Sequence, residues 1–196
     1  MRLAETGRKL AFKRRRIGVT DYALRTRLMR GKLPFLVVRS SNRYVYAQIV
    51  RPDVTGDRTL SSASSKELGK FGWRLGLASI PAAYLVGYLL GLRAADSGVS
   101  SAVLDMGLST PTKGNKAFAV VEGAVEAGMK VPRQEGGLIQ KERLYGKHVA
   151  EYLEKVREKV EPSVQFSKVA GAGVDVEAEV LKAKENMRKA FAKEGA

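Results

Sequence analysis

Residues 12–30 read FKRRRIGVTDYALRTRLMR, which places seven cations and one acid within nineteen positions. Guanidinium and ammonium groups at this density do one kind of chemistry together. They contact phosphate oxygens and displace condensed counterions from a polyanion. Arg8 and Lys9 precede the run and Lys32 follows it. Arg8, Lys9, Lys13, Arg14, Arg15, Arg16, Arg25, Arg27, Arg30 and Lys32 thus form one basic stretch, with Tyr22 inside it. The rest of the chain does not share this excess. Residues 1–33 hold 11 basic and 2 acidic side chains, 34–74 hold 7 and 3, 75–130 hold 4 and 4, and 131–196 hold 13 and 11. Most of the formal net charge of +15 therefore sits at the front. A charge run is commonly a solvated helix face, but here the acids that would balance it are missing. Nucleic acid is the leading partner class, and an anionic membrane surface is second.

A second constellation lies in residues 35–50, FLVVRSSNRYVYAQIV. β-branched and aromatic residues flank a polar turn at Ser41-Asn42-Arg43, which predicts a hairpin. A loop of two or four residues sets Arg39 opposite Tyr46, Val38 opposite Ala47 and Val37 opposite Gln48. One face then carries Leu36, Val38, Val45, Ala47 and Ile49, a core face. The other carries Val37, Arg39, Tyr44, Tyr46 and Gln48. Planar rings, a cation and an amide on one surface suit stacking on bases and hydrogen bonding to ribose or phosphate. Strand tyrosines are more often packing residues, and the neighbouring cation shifts that balance without reversing it.

Other chemistries are poorly served. With no cysteine and a single histidine, His148, neither a thiolate nucleophile nor a Cys/His metal site is available. No P-loop or dinucleotide fingerprint is present. Asp105 ends an apolar run, a common place for a catalytic carboxylate, but the elements gather no second acid beside it. It is expected to cap a turn or to pair with Arg or Lys. His148 has no evident acid–base partner and reads as a surface residue. The reading is a non-enzyme with no cofactor and no metal. No apolar segment follows the basic N-terminus, so no secretory signal is expected. Residues 75–92 carry no charge, but their dense apolar part, Ile80–Leu92, is too short to span a bilayer and reads as a buried helix.

The elements that must position these residues follow from periodicity and punctuation. Thr20 or Asp21 can cap a helix from Tyr22 to about Arg30, with Gly31 ending it. After the hairpin, Thr55-Gly56-Asp57 turns into a third strand, Arg58–Ala63. Ser64-Ser65-Lys66-Glu67 looks like a helix start. GKFGWRLGL, residues 69–77, reads as a loop presenting Lys70, Trp73 and Arg74. A buried helix covers 81–95, a parallel strand 102–106 and a second helix 115–128. A charged helix is expected over 141–160 with Pro162 stopping it, then a flexible linker from Ser167 to Gly173. Asp175 caps a last helix whose stripe, Val176, Val180, Ala183, Met187 and Phe191, is expected to pack on its own domain. The fold class is α/β: a three-stranded antiparallel meander plus one parallel strand, with two helices on one sheet face. A basic N-terminal arm (1–33), the core (34–130) and a helical C-terminal extension (131–196) are its parts.

The order of these segments resembles the family of large ribosomal subunit protein eighteen, which binds 5S ribosomal RNA. The resemblance covers residues 8–130 and rests on Arg39, Ser41, Asn42, Tyr46, Ala47 and Gln48, then GDRTLSSAS, PAAYLVGYLLGLRAADSGV, AVLDMGL and AFAVVEGAVEAGM. PRQEGGLIQKERLYGKHVAEYL is similar to the extension of the archaeal type, where Arg143, Gly146, His148 and Tyr152 match. Bacterial members carry Tyr-His-Gly-Arg where this chain has Thr112-Lys113-Gly114-Asn115-Lys116, so Lys113 and Lys116 keep charge there without the planar groups. The resemblance implies a cytoplasmic, ribosomal protein that helps anchor 5S rRNA to the large-subunit rRNA at the central protuberance. Neighbouring ribosomal proteins, including the other 5S rRNA-binding protein, are implied partners, and no membrane. Arg43 and Arg58 join the residues expected to face RNA. The rival readings are an RNA-processing nuclease on a similar scaffold and a basic membrane-surface protein.

Overall fold

The computed structural model describes residues 10, 11, 13–53, 55–134, 139–157 and 175–194. Arg8, Lys9, the helix stop at Pro162 and the linker from Ser167 to Gly173 lie outside these residues. Two short helices come first, α1 (Lys13–Arg16) and α2 (Tyr22–Met29). Asp21, not Thr20, caps α2: its carboxylate accepts the Leu24 N–H at 3.0 Å.

The hairpin forms in the expected register. β1 (Phe35–Ser40) and β2 (Val45–Arg51) pair with Arg39 opposite Tyr46, Val38 opposite Ala47 and Val37 opposite Gln48. Residues 41–44 are the loop, closed by Ser41 N–H donating to the Tyr44 carbonyl at 2.8 Å. β3 (Arg58–Ser64) runs antiparallel to β2, and β4 (Val103–Asp105) lies parallel to β1. The sheet order is β3-β2-β1-β4. Leu36, Val38, Val45, Ala47, Ile49 and Ala63 are buried from one face. They share a core with α3 (Ile80–Asp96) and α4 (Lys116–Glu126), so both helices cover that face; on the other, Phe35 and Val50 are buried while Arg39, Tyr46 and Gln48 are exposed.

Helix α3 is apolar nearly all round, as a helix enclosed by protein must be. Ser79 caps it and Pro81 sits in its first turn, where a missing N–H costs nothing. Among the described residues no helix is long and apolar enough to cross a membrane. The crossing of α3 with α4 is set by glycine. A Cβ on Gly87 would stand 2.0 Å from the Val120 carbonyl oxygen, and one on Gly123 would stand 2.0 Å from that of Tyr84. The two backbones touch because neither residue has a side chain.

Two expected elements differ. The loop at 69–77 begins as a 3₁₀ helix, Ser65–Phe71, which carries Lys70; Ser64 and Glu67 form a capping box that starts it. The single charged helix over 141–160 is two: α5 (Lys141–Tyr145) and α6 (Lys147–Arg157). Gly146 separates them with φ +90°, and a Cβ there would lie 2.5 Å from Val176. The break lets the extension turn close against α7 (Val176–Glu194).

Helix α7 packs on its own domain, as its stripe suggests. Val176, Val180, Ala183 and Met187 are buried, and each full burial contributes about 1.5–3 kcal/mol for a Val or Met. Asp175 caps it, accepting the Glu177 N–H at 3.0 Å. A polar knot fixes its rotation. The Lys184 ammonium donates to the Tyr84 hydroxyl at 2.9 Å and pairs with Glu126, to which Tyr84 also donates. It lies 5.4, 5.2 and 5.7 Å from the rings of Tyr84, Tyr88 and Tyr145. Its side chain is only 11% exposed. Burial, then the hydrogen bond to Glu126, pushes the Tyr84 phenol far above its ordinary range. Burial also pushes the Glu126 carboxyl up, but the hydrogen bonds from Lys184 and Tyr84 outweigh it and hold the group below its ordinary value of 4.5.

Gly123→Ala is expected to lower unfolding free energy by about 1–3 kcal/mol, the usual range for overpacking, as read by urea denaturation. The contribution of Glu126 has a definite sign: its folded value is depressed, so it is fully present above pH 4.5 and lost as pH falls below it. Protection of the α7 amides, measured relative to their intrinsic exchange at each pH, should fall in that acid interval, and Glu126→Gln should show a smaller change over the same interval.

Candidate nucleic-acid interface

The arm and the open sheet face border one groove of about 1060 Å³. Leu24 and Leu28 of α2 line one side, and Val37, Arg39 and Gln48 of the sheet line the other. No residue of α2 is fully buried, so the helix rests on the sheet without entering the core.

The cations of the arm fall into two groups. Arg14 Nε donates to Thr20 Oγ1 at 2.9 Å, and Arg25 pairs with Asp57 on the turn before β3. Arg25 also stands 5.9 Å from the Phe35 ring. Lys13, Arg15, Arg16, Arg27, Arg30 and Lys32 are exposed and make no ion pair among the described residues. None of those six lines the groove, whose acids are Asp21, Asp53, Asp57 and Asp105, and all six are exposed. The expectation that the arm lacks carboxylate partners is corrected, among the described residues, at Arg25.

Arg39 is anchored as well as exposed. Its Nη1 donates to the Val38 and Asp105 carbonyl oxygens at 2.8 and 3.0 Å, and Nη2 lies 3.6 Å from the Asp105 carboxylate. Asp105 Oδ1 accepts the Gly107 N–H at 2.7 Å. Asp105 therefore both caps a turn and pairs with an arginine, the two roles expected of it. Half of the Arg39 side chain remains exposed, beside Tyr46, at 39% exposure, and Gln48, also exposed.

The hairpin tip forms a second group. Asn42 and Arg43 are exposed, whereas the Ser41 hydroxyl is engaged by the Tyr44 N–H at 3.0 Å. Tyr44 meets Tyr46 edge-on at 6.3 Å. Lys66 stands 4.7 Å above the Tyr44 ring, a residue that sequence reasoning missed. No local signal marks it: the end of β3, Ser64, pairs with Tyr46, and that pairing returns the start of the next element to the hairpin. Arg58, Lys70 and Arg74 are exposed, and Tyr22 is half-buried beside the groove. Trp73 is a correction. It is 4% exposed and belongs to the hydrophobic core, because its backbone N–H closes the end of the 3₁₀ helix on Leu68 and turns the ring inward. It presents no ring to a ligand. Lys113 is exposed on the loop leading into α4, and Lys116 is half-buried at the first position of that helix.

His148 is also corrected. It is half-buried, with Nδ1 buried and unpartnered, and burial followed by the Arg143 charge holds its imidazole below its ordinary value. Among the described residues no three His, Cys, Asp or Glu side chains gather as a metal site.

A four-stranded α/β core whose second sheet face is covered only in part by α2, and a leading arm whose described cations mostly lack carboxylate partners, define a basic-armed α/β protein. Comparison with known proteins makes the class specific. The family model for ribosomal large subunit proteins 60S L5 and 50S L18 matches residues 8–99. The large ribosomal subunit protein uL18 of Halorubrum lacusprofundi is 48% identical over 76% of this chain and 81% of its own length. That of Caldivirga maquilingensis is 46% identical over 89% of this chain and 86% of its own. That of Haloarcula marismortui is 46% identical over 76% and 80%. The chain belongs to the uL18 family of large ribosomal subunit proteins, in its archaeal form, a family of cytoplasmic ribosome components.

Asp57→Asn removes the ion pair that ties α2 to the sheet. Amide exchange across Tyr22–Met29 is expected to accelerate, while global stability changes by less than about 1 kcal/mol, the usual worth of an exposed pair.

Proposed function

We propose that this chain binds 5S rRNA and anchors it to the large-subunit rRNA at the central protuberance, acting as a structural binder and not as an enzyme. One observation carries the reading: six exposed arm cations, Lys13, Arg15, Arg16, Arg27, Arg30 and Lys32, have no carboxylate partner among the described residues, on an arm whose helix α2 borders the partly open sheet face. Like charges held together in this way are stabilised when phosphate supplies the counter-charge. Arg8 and Lys9 extend the same run in sequence. Phosphate contacts of the arm give affinity. The face bearing Arg39, Tyr46 and Gln48, with Arg43, Tyr44 and Lys66 at the hairpin tip, gives selectivity for a folded RNA with unstacked bases. The carboxylate best placed for catalysis, Asp105, is already engaged by Arg39 and Gly107, which supports the non-enzymatic reading. Family membership supports large-subunit rRNA and adjacent ribosomal proteins, including the other 5S rRNA-binding protein, as partners.

Filter binding to a 5S rRNA transcript across a salt series tests this. Log affinity should fall linearly with log salt, at about 0.7–0.9 per phosphate neutralised. A flat response overturns the proposal. Arg39→Ala with Tyr46→Ala should weaken 5S rRNA at least about tenfold more than a random duplex, since base stacking contributes about 1–3 kcal/mol per base. Equal losses on both RNAs would remove the sheet face from the interface.

A further inference from the structure

Arg143 belongs to α5, in the C-terminal extension, yet its guanidinium packs against the core. Its Cζ lies 3.8 Å from the position a Cβ would take on Gly114. Gly114 turns the chain with φ +80° between Lys113 and Asn115, the cap of α4, and Lys116 opens that helix. Three cations from two distant segments thus border one turn.

Nothing in the described chain offsets them. None of the three makes an ion pair among the described residues. The first turn of α4 holds no acid, and the positive pole of its dipole adds to the repulsion. Glu142, the acid next to Arg143, is held by Lys147 at 3.2 Å. The contrast with Arg133 is direct: that cation, also in the extension, is neutralised by Glu122. The same extension therefore carries one arginine with its charge satisfied and one without.

We propose that Lys113, Lys116 and Arg143 form a second phosphate-binding site, built jointly by the core and the extension and containing no residue of the arm. Its ligand is the sugar-phosphate backbone of RNA. The inference rests on the RNA-binding reading above and adds a place where the extension takes part in binding. Charge and not base identity governs this site, because the three side chains are all cations and include no aromatic ring.

The test compares Arg143→Gln, Arg143→Lys and Arg133→Gln in the full chain. Each is titrated across a salt series against a 5S rRNA transcript and, separately, a large-subunit rRNA transcript. Arg143→Gln should reduce affinity about threefold to tenfold and flatten the log–log slope by about 0.7–0.9 on at least one RNA, which also identifies the source of the phosphate. Arg143→Lys should restore the slope, and Arg133→Gln should leave it at the wild-type value. Lys113→Gln with Lys116→Gln, outside α5, should reproduce the flattening if Arg143→Gln perturbs the fold. The site is overturned if neither the Arg143→Gln variant nor the lysine pair changes the slope on either RNA. It is also overturned if Arg133→Gln flattens it equally. A wild-type protein with no salt dependence is a different result, which removes the RNA-binding reading itself.

Discussion

Repulsion among like charges is the constraint to which the rest of this molecule answers. Cations within about a Debye length of one another raise each other's free energy, and the chain has two ways to relieve this. It can supply acids, or it can leave the relief to a ligand. Both choices are visible. Arg25, Arg39, Arg93, Arg133 and Lys184 have carboxylates, and those pairs brace the fold. Lys13, Arg15, Arg16, Arg27, Arg30 and Lys32 do not, and they lie on elements with little or no buried surface. The division is therefore between cations the fold neutralises itself and cations it leaves open to solvent. Arg39 stands on the boundary, fixed by Asp105 yet half open to solvent.

The scaffold that presents these charges is held by contacts of a very different kind. Where α3 crosses α4, glycines bring backbone against backbone. Where α7 meets the same helices, a lysine enters a ring of tyrosines and a carboxylate. The second contact has a geometric effect beyond its own energy. It holds the extension against the core, and the break at Gly146 then lets α5 lie beside the turn at Gly114. The position of Arg143 is thus a product of apolar and aromatic packing some distance from any charge it meets.

Much of this was legible in the residues, for reasons that differ by element. The common face of Leu36, Val38, Val45, Ala47 and Ile49 follows from parity once the loop has two or four residues, and the structure supplies the loop length, residues 41–44. The buried helix and the last amphipathic stripe follow from periodicity. What escaped reading was set by contacts distant in sequence. Trp73 looked presented because glycines surround it, but tertiary packing draws the ring inward. Gly146 looked like an interior glycine in a charged helix, and only its approach to Val176 makes it a break. Asp57 gave no local sign that it would reach Arg25, thirty-two residues earlier. Lys66 came into view only once β3 had been paired with β2. Local chemistry predicts elements; the partners of single charges require the assembled fold.

The strand order β3-β2-β1-β4 has a temporal corollary. A ribosome delivers the meander first, and its three strands can zip together as they emerge. The outer edge of β1 must wait for Val103–Asp105, and the bond from Arg39 to Asp105 spans 66 residues. At about 5–20 residues per second, several seconds of synthesis separate the two strands. Throughout that interval a row of unpaired amides and carbonyls borders an incomplete sheet, while the basic leader has already left the tunnel. The newborn chain thus carries an unpaired strand edge and a dense run of like charge together, before its last strand closes the sheet.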